Sequence, residues 1–229
     1  MLNIQASTST NSAKTLADTI KPYQILQTLK WESLLNKKQE QGWLQCYIQG
    51  YLTTSRSAYT LLNFAAEQAA LRNDEKLTPF VDWARTHAEE EKDHHKWYLD
   101  DFLAMGYSQS LVENQIADDI VLEQLGVQFS LIATVHPVSI LGYVFVLEGY
   151  QPEPETIHEL ARRFSLPEEG FRTILYHIDI DKEHRKPIVE LIDRYSSNEF
   201  LYRTILKSAI TNLLSWTKFY TKLAQENNE

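Results

Sequence analysis

Seven glycines and seven prolines are all that punctuate 229 residues, and this scarcity of breakers constrains the fold more than any other feature. A sheet protein needs a turn roughly every 8–12 residues, and such turns draw heavily on Gly, Pro, Asn and Asp. Here Leu, Ala, Glu, Lys and Gln are abundant instead, which favours long helices. The chain reads as all-α.

The isolated breakers divide it. A helix is expected from near Pro22 to about Lys38, and a longer one from about Gly42 to Arg72, stopped by Asn73-Asp74. Thr78-Pro79 supplies an N-cap and a first-turn proline for a third helix, which should run unbroken to Gly106. Asp118–Thr134 and Pro137–Gly149 read as two helices divided at His136-Pro137, with Gly142 a candidate kink. Helices near Glu155–Phe164, Pro167–Tyr195 and Glu199–Gln225 complete about seven or eight in one domain, and Pro187 should kink the second of these three.

Residues 1–20 are polar, lack a secretory apolar core and read as a loose leader, leaving 21–229 as the domain. The longest apolar stretch, Val138–Leu147, is far short of the ~20 residues a bilayer span requires. Net charge is −9 with Lys and Arg scattered singly, so a nucleic-acid partner is not expected. Cys46 is the only cysteine. No internal disulfide can form, the cytoplasm fits, and the residue reads as a small buried apolar group.

His87, Glu91 and His94 stand at i, i+4 and i+7, and at ~100° per residue they share one face of a helix. His177, Asp181 and His184 repeat that spacing. A single such set on a charged helix is ordinarily a solvated face, and Glu89, Glu90, Lys92 and Asp93 mark a wet side on the first. Two matched sets in a chain with seven histidines are a different matter. Glu148, closing the apolar run HPVSILGYVFVLEG, adds a carboxylate whose burial would be costly unless a cation met it. Imidazole with carboxylate suits iron, manganese or zinc better than magnesium or calcium. Glu91-Lys-Asp-His94 also has the Glu-x-x-His form of helical di-metal proteins. Glu90 and His95 read as neighbours of the site, His136 and His158 as structural residues, and Tyr143, Phe145, Trp97 and Phe171 as core or pocket wall.

HAEEEKDHHKWYLDDFLAMG, HPVSILGYVFVLEG and HIDIDKEHRKPIVELID, in that order, resemble the core motifs of heme-oxygenase-like di-iron oxidases and oxygenases, including CADD-like proteins. The resemblance runs from about Leu44 to the C-terminus. It implies a TenA/PqqC-like helical bundle, often a homodimer, that binds two irons and uses dioxygen on a small organic substrate. Manganese and zinc remain alternatives, and Glu148 is placed at the reacting centre between the metals. By position His94, Glu148, His177, Asp181 and His184 match five of the family's ligands. The sixth falls either on His87, where many members carry glutamate, or on Glu91. The fold is shared with TenA thiaminases, cofactor-free PqqC-like oxidases and heme oxygenases, so fold alone does not choose the reaction. Cys46 lies too early to match a TenA nucleophile. The alternatives left open are a cofactor-free oxidase and a non-catalytic helical binding module.

Overall fold

The computed structural model describes residues 12–36 and 40–226, and among them every regular element is helical. In chain order the α-helices are α1 Ser12–Leu35, α2 Glu40–Gln45, α3 Thr53–Ala70, α4 Thr78–Glu91, α5 His94–Ala104, α6 Gln109–Glu113, α7 Asp119–Thr134, α8 Ile140–Leu147, α9 Pro154–Phe164, α10 Arg172–Tyr195 and α11 Glu199–Glu226. The all-α expectation holds, with more interruptions than the breakers alone indicate.

Several elements differ from the sequence reading. Helix α1 begins at Ser12 and carries Pro22 inside it. Part of the supposed leader is therefore structural, because Leu16 and Ile20, one turn apart, are completely buried; residues 1–11, and Lys38 at the expected end of that helix, lie outside the described residues. The helix expected over 42–72 contains a π-helical turn, Cys46–Leu52, and the short α6 was not anticipated. Most consequential, the helix expected over 78–106 is broken. Lys92 closes α4, and Asp93, at φ −115° and ψ 2°, separates it from α5. Helix α10 begins at Arg172 after a 3₁₀ turn over Glu168–Phe171 and continues past Pro187 to Tyr195.

Local chemistry explains the other termini. Pro79 occupies the first turn of α4, where a missing N–H costs nothing. The Asp118 side chain accepts a hydrogen bond from the Ile120 amide at 2.8 Å, capping α7. Gly106, at φ +91°, ends α5 in a conformation that only glycine adopts cheaply.

Helix α8 is the axis of the bundle. All its residues from Ile140 to Val146 are buried, and it packs on α11, α10 and α7. Gly142 does not break α8. A Cβ there would overlap the Ile205 carbonyl oxygen and sit 2.9 Å from the Ala209 nitrogen, so glycine lets the backbones of α8 and α11 approach closely. A second apolar cluster around Trp43, Tyr47, Phe102 and Phe171 ties α2, the π turn, α5 and α10 together. Within it Asp101, almost fully buried, accepts from the Tyr47 hydroxyl at 3.1 Å and the Thr173 amide at 2.8 Å. That amide belongs to the first turn of α10, where a carboxylate is favoured, so Asp101 fixes where α10 starts relative to α5. None of the helices over these residues is long and apolar enough to cross a membrane.

Candidate metal centre

Helices α4 and α5 lie against α10, and their histidines pair in opposite order: His87 meets His184 with ring centroids 5.1 Å apart, and His94 meets His177 at 5.0 Å. Glu148, capping the C-terminal end of α8, enters from a third side. Its Oε1 lies 2.6 Å from His87 Nε2 and 3.9 Å from His184 Nδ1. Two groups of donor atoms result, each compact enough to hold a metal ion. One contains His87, Glu91, Glu148 and His184; the other contains Glu91, His94 and His177. Glu91 belongs to both, with Oε2 3.0 Å from His94 Nδ1.

The structure places the expected ligands unevenly. His87 and Glu91, between which the sequence reading left the sixth ligand open, are both in place. Glu148 sits in one group, not between the two, and the shared position falls to Glu91. Asp181 is buried nearby but belongs to neither group, its carboxylate accepting a hydrogen bond from the Gln151 side-chain amide.

The donor set fits a cation on three counts. Glu148 Oε2 and His184 Nδ1 are buried with no hydrogen-bond partner among the described residues, an expensive condition for a carboxylate unless a cation is met there. His177 Nδ1 donates to the Thr173 carbonyl at 2.7 Å, leaving Nε2 with its lone pair toward the site, 3.2 Å from His94 Nδ1. His87 Nδ1 lies 3.2 Å from Glu90 Oε2, so Glu90 orients the ring and aims Nε2 inward, as outer carboxylates do for metal-bound imidazoles.

Electrostatics agree. Burial lowers His177 and His184, keeping both imidazoles neutral and ready to ligate. Burial also opposes charge on His87, yet its contacts with Glu148 and Glu90 hold it up to about 10, and burial raises Glu148 against the pull of His87. Together these directions describe one proton held tightly between His87 and Glu148, which a metal ion would displace. Asp181 is raised to about 8, first by burial and then by the charges of Glu148 and Glu91.

Aromatic rings brace three of the histidines. Trp83 stacks on His87, Trp97 on His94 with centroids 4.1 Å apart, and Tyr98 on His177. Trp97, 37% exposed, is not core but lies between the site and solvent, and Tyr143, as expected of pocket wall, lines a cavity of about 130 Å³ that opens onto His87, Glu91, Glu148, His177 and Asp181. Gln151, Trp83 and the Thr173 carbonyl escaped the sequence reading. No spacing signal marks the first two, and a main-chain oxygen has none to give. His136 caps a 3₁₀ turn, and His158 lies at the surface beside Glu168, both away from the site. Cys46 is fully buried with its thiol pushed up by that burial, which does not suit a nucleophile.

The architecture is that of the heme-oxygenase-like fold. The chain is similar to a domain of unknown function with a heme oxygenase-like fold from Shewanella denitrificans, with TM-score 0.76 and 14% identity over 94% of this chain and 91% of that one. It is also similar to a TenA homolog from Pseudomonas syringae pv. tomato, with TM-score 0.70 and 11% identity over 93% of both chains. No family model and no curated protein matches the sequence. Identities this low establish the fold and leave the chemistry to the site.

Proposed function

We propose that the protein is a metal-dependent oxidase or oxygenase that holds two ions, iron before manganese or zinc, and uses dioxygen on a small organic substrate. The observation carrying this reading is the sharing of Glu91 between two donor groups, which lets one carboxylate serve two neighbouring ions. His87, Glu148 and His184 would hold one ion, His94 and His177 the other. Asp181 stands within the same chamber as a further carboxylate. Bound iron would supply the one-electron chemistry that dioxygen requires.

The chain's own residues have separable tasks. Glu90 and the Thr173 carbonyl fix two imidazoles in the ligating orientation. Trp83, Trp97 and Tyr98 keep water from the histidines, and the cavity beside Glu91 and Glu148 receives the substrate. The decisive experiment is anaerobic loading of metal-free protein with ferrous iron, elemental analysis, then admission of air in an oxygen electrode. About two irons per chain and dioxygen uptake are expected, and Glu91→Ala should lose both ions. Background iron content in the wild type would defeat the metal reading. Full uptake of iron without consumption of dioxygen would leave a binding module of the same fold.

A further inference from the structure

The cavity's walls say what sort of guest it accepts. Its volume is about 130 Å³, close to the ~150 Å³ of an engineered apolar cavity that takes up benzene, so it holds about one ring and little more. Leu61, Leu62, Ile140, Val144 and Leu147 form an aliphatic side, while Tyr51, Tyr98, Trp216 and Tyr220 offer ring faces. The close approach of Trp216 depends on Gly50 in the π turn, where a Cβ would lie 2.7 Å from the indole ring. A second cavity of about 120 Å³, lined by Gln24, Thr28, Trp31 and Pro152, shares Gln27, Tyr51, Tyr150, Gln151 and Tyr220 with the first. It marks the approach between α1 and the turn after α8.

Charge and hydrogen bonding narrow the class. No lysine or arginine lines the main cavity, and the proton on His87 is already met by Glu148 and Glu90, so an anionic group would be buried there without a free counter-charge. Among its acids, Glu91 faces His94 and Asp181 is engaged by Gln151; Glu148 pairs with His87 through one oxygen, and its unpaired oxygen belongs to the donor group that would hold a metal ion, so no carboxylate is left over for a cationic ring. Three hydroxyls remain. Thr54 Oγ1, Ser55 Oγ and Tyr143 OH line the cavity, each more than nine-tenths buried; the Thr54 and Tyr143 hydroxyls face each other, and none of the three makes a hydrogen bond of ordinary geometry with the described residues. Thr54 and Ser55 adjoin on α3, and Tyr143 reaches the cavity from α8. Buried hydroxyls are seldom left unpaired, and three lining one small chamber point to a ligand group that pairs them.

We propose that the cavity binds a small uncharged one-ring molecule carrying a single hydrogen-bonding group. Its ring packs among Tyr51, Tyr98 and Trp216, and its polar group sits on the Thr54, Ser55 and Tyr143 hydroxyls. What is then done to that molecule rests on the metal-dependent reading above; its binding does not.

The test is calorimetric titration of metal-free protein, kept in chelator at neutral pH, with phenol, benzoate and benzylammonium, three single-ring probes of similar size and different charge. Phenol should bind one-to-one and at least about tenfold more tightly than either charged ring. Equal or tighter binding of a charged ring, or no binding by any of the three, would overturn the proposal. In Tyr143→Phe, which removes an oxygen without an ordinary partner, phenol affinity should fall about fivefold while toluene affinity stays unchanged. Equal loss for both rings would mean a packing defect and defeat the assigned contact. Ala58→Phe, filling the cavity from α3, should abolish ring binding, and if it does not fold the Tyr143 comparison still decides. Ferrous iron uptake by the same preparations, measured anaerobically after the chelator is removed, separates the two claims. Full iron with no ring binding sinks the guest class alone, and ring binding without iron uptake sinks the metal reading alone.

Discussion

Asp181→Asn should make the metal-free protein more stable, and increasingly so as pH rises. Asp181 is only 3% exposed, and burial together with Glu148 and Glu91 raises its carboxyl from 3.8 to about 8. A group raised on folding favours the folded state fully below its unfolded pKa, and that contribution is lost as pH climbs through the folded value. Each pH unit in the window from 3.8 to about 8 costs about 1.4 kcal/mol. At about pH 5 the accumulated loss is roughly 2 kcal/mol, and at about pH 8 on the order of 5. Asparagine carries no titrating proton, and its side-chain oxygen can still accept from Gln151. Near this chain length 1 kcal/mol moves Tm by about 2–4 °C, so the gap between variant and wild type should widen by about 6–12 °C between those two pH values. Thermal unfolding followed by circular dichroism in chelator measures it. A gap that does not change with pH, or a variant less stable than wild type at the higher pH, would refute the buried, charge-crowded environment assigned to Asp181.

Three further outcomes test other parts of the structure. Gly142→Ala should destabilise the fold by about 1–3 kcal/mol in urea denaturation, because its Cβ would meet the α11 backbone, which cannot swing aside as a side chain can. His184→Ala and His177→Ala each remove a member of one donor group, so elemental analysis should find iron reduced from about two per chain to about one in either variant, and close to none in the double variant. Cobalt(II) titration should quench the emission of Trp97, stacked on His94 and partly exposed, and Trp97→Phe should lose more of that quenching than Trp31→Phe, whose indole packs on Trp43.

The legible parts of this protein were those written in periodicity. Two His-x-x-x-carboxylate-x-x-His sets declare helix faces, and Glu148 stands out because it closes a run of apolar residues of which Ile140 to Val146 are all buried. What escaped was set by tertiary contacts without a compositional mark. The segment Glu89-Glu90-Glu91-Lys92-Asp93-His94 contains no breaker and every residue in it tolerates helix, yet the chain turns at Asp93. Leu16 and Ile20 are two apolar positions in a polar stretch, too few to reveal a period, and only packing of α1 on α11 and α10 makes them core. The π turn has no signature residue; it brings Tyr51 to the cavity wall beside Trp216, close to which only Gly50 fits. Gln151 is a lone amide in a proline-rich turn, and nothing local predicts that it reaches Asp181 thirty residues on.

The break at Asp93 also clarifies why the repeated spacing works. Seven residues of helix rise about 10 Å, so the two histidines of either set stand too far apart along the axis to share one ion at bond lengths near ~2 Å. Antiparallel pairing removes the difficulty, because the first histidine of one helix then meets the last of the other, and two His–His rungs form, His87 with His184 and His94 with His177. A carboxylate four residues after one histidine and three before the next falls between the rungs on each helix, as Glu91 on one side and Asp181 on the other. The two are not equivalent. Glu91 ends α4, and with the helix turning immediately after it, its carboxylate comes within reach of both rungs. Asp181 lies inside the unbroken α10 and is drawn aside by Gln151. The asymmetry between two nearly identical sequence motifs therefore comes from a helix terminus at one of them, and it leaves Glu91 as the residue on which both ions would depend.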